Sequence, residues 1–438
     1  MRYWYLALAA GTLAAADPSY INDIVPVLQK NCVGCHQGSM KSAGLDLTSY
    51  EAFKKGGKQG DGFAQTIRYL TGEAKPSMPL GQPLLKAEII DKFKAWVKIG
   101  APDDSPKVES KLAPGKYSLP PVVTALRWSP DGKRLAVSGN GEVLIHSVAG
   151  EQTKLEQRLL GKSERILSIA WSKDGKLLVA GGGTPARFGE VQWWDSSSGQ
   201  MLRATELPND TVFGASLSPD GSKVAVGCTD NTVHAFETAS GKELYKIGSH
   251  ENWVLGTVFS ADGKRLVSVG RDRAAKIMDA SLGQFLENAN TTQKSELNAV
   301  ARHPAKDIIV MGGEDRYPYI YSMDRTRNMR VGDDAMFIQQ LDRQDGVILA
   351  LDWSPDAKRI AVAGASSKVN LYDADTGKPV ASCSGHDAGI YAVAFSPDSK
   401  TLATGGFDGK IRLYRASDCL ALTSFVPVPL EQATGGGQ

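Results

Sequence analysis

A short turn motif, Ser-Pro-Asp-Gly or a close variant of it, recurs seven times along the chain. The copies lie about 42 to 46 residues apart, except that a longer interval follows the fifth. This period is typical of a propeller blade built from four antiparallel strands. The repeat therefore predicts an all-β, seven-bladed propeller. The segments are RWSPDGKRLAVSG (127–139), AWSKDGKLLVAGG (170–182), SLSPDGSKVAVGC (216–228), VFSADGKRLVSVG (258–270), ARHPAKDIIVMGG (301–313), DWSPDAKRIAVAG (352–364) and AFSPDSKTLATGG (394–406).

The residues of each copy agree with this fold. Proline pre-sets the backbone of the turn, and glycine adopts the positive φ that closes it. The run before the turn is apolar on both faces, as in LGTVF (255–259) and YAVAF (391–395). A strand that packs between two neighbouring blades needs apolar side chains on both faces.

Several copies carry a second signature at the end of their third strand, an aromatic residue or methionine followed by aspartate. It occurs at Trp194-Asp195, Met278-Asp279 and Tyr372-Asp373. With these dipeptides the segment from about 120 to 425 resembles WD40 repeats.

Two copies also carry a histidine before their first strand and an aspartate in a later turn. The pairs are His250 with Asp272 and His386 with Asp408. The WD40 resemblance implies that each pair shares a structural hydrogen-bond network with a hydroxyl group, from Ser268 or Thr404. We expect this structural role rather than catalysis or metal binding.

The N-terminal part of the chain contains an unrelated motif, Cys32-Val33-Gly34-Cys35-His36. Covalent haem attachment needs two thiols for thioether bonds and an adjacent histidine for the iron. A redox dithiol would follow a strand in a βαβ pattern, and a structural zinc site would need a second pair of Cys or His ligands. No strand-like run precedes Cys32, and the next histidine is His146. We therefore interpret the motif as a haem site with His36 as an axial ligand.

A second axial ligand is available in the segment KPSMPLGQP (75–83). Pro79 biases Met78 toward an extended backbone, which presents the thioether. Met40 lies four residues after His36, and we expect it to pack rather than bind iron. His/Met ligation raises the reduction potential of haem iron and suits electron transfer.

The segment from 17 to about 105 otherwise predicts helices and long loops. Four stretches of it resemble the planctomycete-type cytochrome c module, over residues 20–104: DIVPVLQKNCVGCH (23–36), GLDLTSYEAFKKGG (44–57), SMPL (77–80) and FKAWVKIGAP (93–102). The resemblance implies a small all-α, class I-like cytochrome c fold with one covalent haem c. Leu80 departs from the family, which commonly has a second proline there.

The first residues, MRYWYLALAAGTLAAA, combine Arg2 with a short apolar run and small residues at 14–16. This pattern predicts a secretory signal peptide, and the run is too short to span a bilayer. We therefore expect a periplasmic or otherwise exported protein without a membrane span after signal removal; retention of the signal as an anchor is the alternative.

The net charge of +2 argues against a nucleic-acid partner. Export permits disulfides, and a Cys383–Cys419 pair is open.

These features predict five segments: a signal peptide (1–16), a cytochrome domain (17–105), a linker (106–120), the propeller (121–425) and a flexible tail (426–438). The proposed cofactor residues are Cys32, Cys35, His36 and Met78, with no catalytic residues identified. We interpret the chain as an electron-transfer and binding protein more than as a self-contained catalyst. We expect two partners, a redox partner protein and a protein docked on the propeller. The alternative is an oxidoreductase whose propeller binds a substrate or second cofactor and passes electrons to the haem.

Two surfaces are candidates for partner binding. One is a lysine cluster in the haem-loop region, Lys54, Lys55 and Lys58, which could steer an acidic redox partner. The other is the propeller face that carries the loops between blades and between second and third strands. It would collect Arg165, Arg187, Asp210, Glu251, Trp253, Arg271, Arg273, Asp315 and Arg316.

Overall fold

The computed structural model describes residues 17–33, 35–37, 40–47, 50–58, 60–104, 115–208, 211–290, 295–324 and 334–431. The chain divides into two compact units, residues 1–109 and 110–438. The predicted signal peptide lies outside the described residues, as do residues 106–114 of the predicted linker and residues 432–438 of the predicted tail.

The N-terminal unit is a small helical region, as the sequence predicts. A π-helical segment (Tyr20–Ile24) continues directly into the first α-helix, and two short strands form a hairpin before the remaining helices. Among the described residues its elements are α1 (Val25–Asn31), β1 (His36–Gln37), β2 (Met40–Lys41), a 3₁₀ turn (Ser42–Gly44), α2 (Tyr50–Lys55), α3 (Gly62–Leu70) and α4 (Ala87–Lys98).

Aromatic side chains form the core of this unit. Trp96 of α4 is fully buried and stacks on Tyr20, with ring centroids 5.4 Å apart. Phe53 of α2 and Phe63 of α3 meet edge to face at 4.8 Å and both contact Trp96. The π-helical segment, α2, α3 and α4 therefore each contribute an aromatic ring to one cluster, and this packing fixes where the loops between the helices lie.

The C-terminal unit is a β-propeller with seven four-stranded blades among the described residues. Five blades are separate four-stranded sheets, and blades 1 and 2 share one long strand, β6. Blade 1 contains β3 (Leu126–Trp128), β4 (Arg134–Ser138), β5 (Asn140–Ala149) and the first part of β6 (Gln152–Trp171); blade 2 contains the rest of β6, β7 (Leu177–Thr184), β8 (Phe188–Asp195) and β9 (Met201–Pro208).

The other blades follow the same order. Blade 3 has β10 (Val212–Leu217), β11 (Lys223–Cys228), β12 (Val233–Glu237) and β13 (Glu243–Ile247), and blade 4 has β14 (Val254–Phe259), β15 (Arg265–Gly270), β16 (Ala275–Asp279) and β17 (Phe285–Asn288). Blade 5 has β18 (Leu297–Arg302), β19 (Ile308–Gly313), β20 (Tyr319–Ser322) and β21 (Phe337–Gln340), and blade 6 has β22 (Ile348–Trp353), β23 (Arg359–Gly364), β24 (Val369–Asp373) and β25 (Pro379–Cys383). Blade 7 has β26 (Ile390–Phe395), β27 (Thr401–Gly406), β28 (Ile411–Arg415) and β29 (Ala421–Phe425).

The recurring turn motif closes the first hairpin of each blade. In blade 1 the Ser129 hydroxyl bonds to the Asp131 carboxylate at 2.5 Å, and the Arg134 N–H donates to Ser129 Oγ at 2.9 Å. Gly132 has a φ of +70°. The degenerate fifth copy replaces serine by His303, whose Nδ1 accepts the N–H groups of Ala305 and Lys306 at 3.0 and 2.9 Å. An imidazole nitrogen thus holds the turn that a hydroxyl holds elsewhere.

The first strand of each blade contacts the first strand of the next, and β26 of blade 7 contacts β3 of blade 1. Blade 7 takes all four strands from the last repeat. The ring is therefore closed by packing between blades 7 and 1, and a further contact joins the two ends of the unit.

At that contact, Tyr117 pairs in parallel with Leu430. The Tyr117 N–H donates to the Pro429 carbonyl at 2.9 Å, and the Glu431 N–H donates to the Tyr117 carbonyl at 2.8 Å. The end of the predicted linker and the start of the predicted tail therefore pair with each other. Backbone pairing of two short segments leaves no periodic signal in the sequence.

Cys383 and Cys419 form a disulfide. Cys383 ends β25 in blade 6, and Cys419 lies in the turn between β28 and β29 of blade 7. The bond therefore links two neighbouring blades and settles the pairing that the sequence leaves open.

Candidate functional site

One cavity in the N-terminal unit, of about 330 Å³, is lined by Cys32, Cys35, His36 and Met78. This volume falls within the range of ligand pockets, about 300–1,000 Å³. Met78 follows His36 by 42 residues, so folding of the unit brings the four predicted cofactor residues together.

A tight turn after α1 presents the first three residues. Cys32 caps the C-terminal end of α1, and its N–H donates to the Leu28 carbonyl at 2.9 Å. The Cys32 carbonyl then accepts the N–H groups of Cys35 and His36, both at 3.1 Å. Both cysteines and the histidine line the same cavity.

Met78 reaches the cavity from the loop between α3 and α4. Its N–H donates to the Tyr69 carbonyl at 3.1 Å, which holds the loop against the end of α3. The Met78 side chain is half-buried against the aromatic core of the unit, and Pro79 beside it is buried. Leu80, at the rim of the cavity, is 66% exposed.

One face of α3 supplies much of the remaining wall. The α3 residues that line the cavity are Gly62, Gln65, Thr66, Tyr69 and Leu70. Their spacing of three and four residues places them on one side of the helix. Leucine and proline side chains from the surrounding loops complete a largely apolar lining: Leu45, Leu47, Pro76, Pro79 and Leu80.

His36 is buried, and its Nδ1 atom has no hydrogen-bond partner among the described residues. The other five histidines all bond through their rings, for example His146 to the Pro427 carbonyl at 3.0 Å. A buried imidazole nitrogen without a partner is costly unless a ligand needs the ring there. His36 is thus the histidine with a buried ring nitrogen, Nδ1, that has no partner among the described residues.

Burial, together with the neighbouring Cys35, raises the pKa of the Cys32 thiol to about 11. Reactive dithiols of the Cys-x-x-Cys type have a lowered thiol pKa instead. The environment of Cys32 is therefore unlike that of a redox dithiol.

The donor set of the cavity fits haem c. Two thiols stand beside an imidazole and a thioether in an apolar cavity, which matches covalent attachment of the ring and two axial iron ligands. A structural zinc site would instead close four thiolate or imidazole ligands around one small ion.

Of the predicted lysine cluster, Lys58 lines the cavity, and Lys54 and Lys55 are exposed at the end of α2.

In the propeller, His250 forms the network that the sequence predicts. His250 Nδ1 lies 2.9 Å from the Asp272 carboxylate, and Nε2 lies 2.6 Å from Ser268 Oγ. Lys276 adds a cation 3.6 Å from Asp272, a contact the sequence analysis missed.

His386 repeats this arrangement in blade 7. Its Nδ1 lies 3.1 Å from Asp408, and Nε2 lies 2.7 Å from Thr404 Oγ1. Arg412 bonds to Asp408 at 2.6 Å. The histidines and aspartates are buried and mutually bonded, which is the structural role expected of them.

Part of the predicted binding face forms an open groove of about 600 Å³ at blades 4 and 5. Glu251, Arg271 and Arg273 line it together with two acidic residues that the sequence analysis missed, Glu296 and Glu314. The Arg271 guanidinium lies 4.0 Å from the centroid of the Trp253 ring, which Phe213 stacks at 6.0 Å.

The remaining predicted members lie elsewhere. Arg165 and Arg187 are exposed on blade 2, and Asp315 and Arg316 lie in a turn of blade 5. Asp210 lies outside the described residues.

The structure also brings Cys228, Asp230 and His234 together in blade 3, with one ligand atom of each within 4.8 Å of the others. The sequence analysis did not find this cluster. The sequence does carry a signal for this cluster. Six of the seven aligned repeat segments end in glycine, and the third ends in Cys228.

Family models match the propeller unit. The WD domain, G-beta repeat matches residues 241–279 and 377–415, and the anaphase-promoting complex subunit 4 WD40 domain matches residues 300–390. The lipoprotein LpqB beta-propeller domain matches residues 102–241.

The chain is also similar to several known proteins, two of which are named for WD repeats. The chain is 32% identical to transcription factor unc-37 of Caenorhabditis elegans, over 38% of this chain and 27% of that protein. It is 25% identical to WD repeat-containing protein 1 of Xenopus tropicalis, over 61% and 43% of the two chains. It is 24% identical to WD repeat-containing protein WDS homolog of Arabidopsis thaliana, over 63% and 50%. The chain thus spans about a quarter to a half of these relatives.

No helix within the described ranges is both long and apolar enough to cross a membrane.

The seven four-stranded blades, the two His–Asp networks and the matched repeats agree with one another. The C-terminal unit of this chain is a WD40-repeat β-propeller.

Proposed function

We propose that this protein is an exported c-type cytochrome whose N-terminal unit carries one covalent haem and whose WD40 propeller binds a partner protein. Cys32 and Cys35 would attach the haem, and His36 and Met78 would bind its iron. The observation that supports this is the single apolar cavity onto which these four residues converge.

The residues around the cavity have separate tasks in this proposal. The haem, when bound, supplies a one-electron redox centre. The turn after α1 orients His36 through the two hydrogen bonds to the Cys32 carbonyl. The hydrogen bond from Met78 to Tyr69 positions the thioether, and the α3 face with Leu45, Leu47 and Leu70 excludes water.

The rim of the cavity is the place at which a redox partner would approach. Cys35 and Leu80 are exposed there, and Lys58 adds a positive charge beside them. We therefore propose a redox partner with an acidic docking surface, since opposite charges speed encounter between proteins.

Covalent haem is testable on the full chain. We would express it in a host with c-type haem maturation and ask whether haem stays attached after denaturation. The parent and a Cys228→Ala control should retain it, and a Cys32→Ala/Cys35→Ala variant should not. A parent chain that yields no attached haem, while a known c-type cytochrome matures in the same cells, would contradict the proposal.

The propeller's role is proposed from its family and its groove. WD40 propellers typically bind protein partners, and interface hot spots are enriched in Trp and Arg. Trp253 with Arg271 stacked on it, flanked by Glu251, Glu296 and Glu314, forms such a site. A partner captured from exported extract should be lost with Trp253→Ala and kept with an exposed control, Asp174→Ala. Retention of the same partner by Trp253→Ala would contradict this surface.

The Cys383–Cys419 disulfide supports export, because disulfides persist in oxidising compartments. Fractionation of the native host, with N-terminal sequencing of the mature chain, tests this. A full-length chain recovered from the cytoplasm would contradict it.

A further inference from the structure

Blade 3 departs from blades 4 and 7 at two positions that flank one aspartate. In blades 4 and 7 the second strand ends in Gly270 or Gly406, the following turn contains Asp272 or Asp408, and the third strand carries Lys276 or Arg412. The same positions in blade 3 hold Cys228, Asp230 and His234. The aspartate is kept, while a glycine and a cation are replaced by two metal-ligating side chains.

The glycine of the other blades lies in tight surroundings. A Cβ atom at Gly182, Gly270, Gly313, Gly364 or Gly406 would lie 1.8 to 2.3 Å from a backbone carbonyl oxygen. A side chain at this position therefore requires the neighbouring strand to shift. Blade 3 nevertheless carries a cysteine there, and Cys228 is only 4% exposed.

A tight turn brings the three side chains together. The Cys228 N–H donates to the Thr232 carbonyl at 3.0 Å, and Asn231 adopts a φ of +68° between them. Asparagine tolerates this left-handed backbone better than most residues. His234 is 5% exposed, and the Asp230 side chain lies at the surface with 35% exposed. The resulting site is buried on two sides and open on the third.

Hydrogen bonds set the orientation of the histidine. His234 Nδ1 lies 2.8 Å from a carboxylate oxygen of Glu243. A carboxylate only accepts, so Nδ1 carries the hydrogen and Nε2 keeps its lone pair in the neutral ring. That lone pair faces Thr232 Oγ1 at 2.9 Å and Asp230 at 3.9 Å.

The cluster presents three ligand atoms of different kinds at close range: a sulfur, an imidazole nitrogen and a carboxylate oxygen. The single hydroxyl hydrogen of Thr232 cannot serve both His234 Nε2 and the Asp230 carboxylate, although Thr232 contacts both. Lys246 donates to one oxygen of Asp230 at 2.8 Å. A cation placed between the sulfur, the imidazole nitrogen and the carboxylate would contact all three ligand atoms together.

We propose that Cys228, Asp230 and His234 bind a divalent transition-metal ion of the zinc class in blade 3. Thiolate and imidazole ligands favour zinc over calcium or magnesium, which prefer oxygen ligands. The Glu243–His234 contact matches the carboxylate that orients metal-bound histidines. Around a tetrahedral zinc ion neighbouring ligand atoms lie about 3.5 Å apart, so the cluster closes by about 1 Å on binding, with water or Thr232 in the fourth position.

The test uses the full chain in a Cys32→Ser/Cys35→Ser background, in which Cys228 is the only thiol besides the disulfide pair. We expect one equivalent of Zn²⁺ to bind, and Co²⁺ to give a thiolate-to-cobalt charge-transfer band. Cys228→Gly and His234→Lys install the residues of blade 4 and should each weaken binding at least about a hundredfold. Glu243→Gln should weaken it about ten- to a hundredfold.

The matched control is Asp272→Asn, which alters the corresponding aspartate of blade 4 and should leave zinc affinity unchanged. Zinc should also raise the melting temperature of the parent and of this control, but not of Cys228→Gly. Zinc binding that survives Cys228→Gly would overturn the proposal. So would a parent chain that binds no stoichiometric zinc.

Discussion

Arg158 donates two hydrogen bonds to the carboxylate of Glu142, at 2.6 and 2.7 Å, beside the point where the ends of the propeller meet. Glu142 is only 2% exposed and also accepts the Tyr117 hydroxyl at 2.6 Å. Arg158 in turn bonds to the Gly115 carbonyl at 2.8 Å. This buried ion pair thus holds the segment that contains Gly115 and Tyr117 against blade 1.

We predict that Arg158→Met destabilises the propeller strongly. Removal of one partner leaves a buried charge uncompensated, which typically costs about 3–5 kcal/mol. Urea unfolding of the variant measures this cost. The exposed Lys162–Glu206 pair of blades 1 and 2 is the matched control, because Lys162→Met should cost no more than about 1 kcal/mol. Equal effects of the two substitutions would contradict the prediction.

The Cys383–Cys419 disulfide should stabilise the contact between blades 6 and 7. It closes a loop with a sequence separation of 36 residues, and such a bond typically contributes about 2–4 kcal/mol. A reductant should therefore lower the melting temperature of the parent. A Cys383→Ser/Cys419→Ser variant should melt lower from the start and not respond to the reductant; a response of similar size would show that another bond is involved.

The stability of the propeller should depend on pH through His146. Burial lowers the pKa of His146 from 6.5 to about 4, although its bond to Pro427 works in the opposite direction. The unfolded chain therefore binds a proton below pH 6.5 that the folded chain refuses, so stability falls as the pH drops from 6.5 toward 4. Between pH 7 and 5 the loss should be about 2 kcal/mol.

His146→Gln keeps a side-chain donor near the Pro427 carbonyl and removes the titration. We expect its free energy of unfolding to vary less between pH 7 and 5 than that of the parent. Parallel pH profiles for the two proteins would contradict this assignment.

Met78→Ala should remove the sulfur-to-iron absorption band of the ferric haem protein and lower its reduction potential. Haem attachment should remain, because Cys32 and Cys35 are unchanged. Leu80→Ala, at the exposed rim of the same cavity, is the control and should keep the band. If the band survives in Met78→Ala, another residue is the ligand.

The sequence alone determined the features that depend on local chemistry. The turn motif and its period predicted seven blades, and the structure contains them, because each turn is closed by residues of its own short motif. The His250 and His386 networks were implied by the WD40 resemblance, since their partners recur at fixed positions within one blade. The motif around Cys32 predicted three cofactor residues within five positions, and all three line one cavity.

Only the tertiary structure decided the contacts between residues whose sequence context does not identify their partner. Nothing in the sequence around Tyr117 or Leu430 shows that these segments pair, because their contacts run through the backbone. Cys419 carries no sign that Cys383 is its partner, and Cys228 reads as an ordinary buried residue until the turn places Asp230 and His234 beside it. Met78 likewise reaches the cavity of His36 only because the aromatic core sets the position of its loop. Local hydrogen bonds can be read from the order of residues, whereas distant contacts depend on the packing of the whole unit.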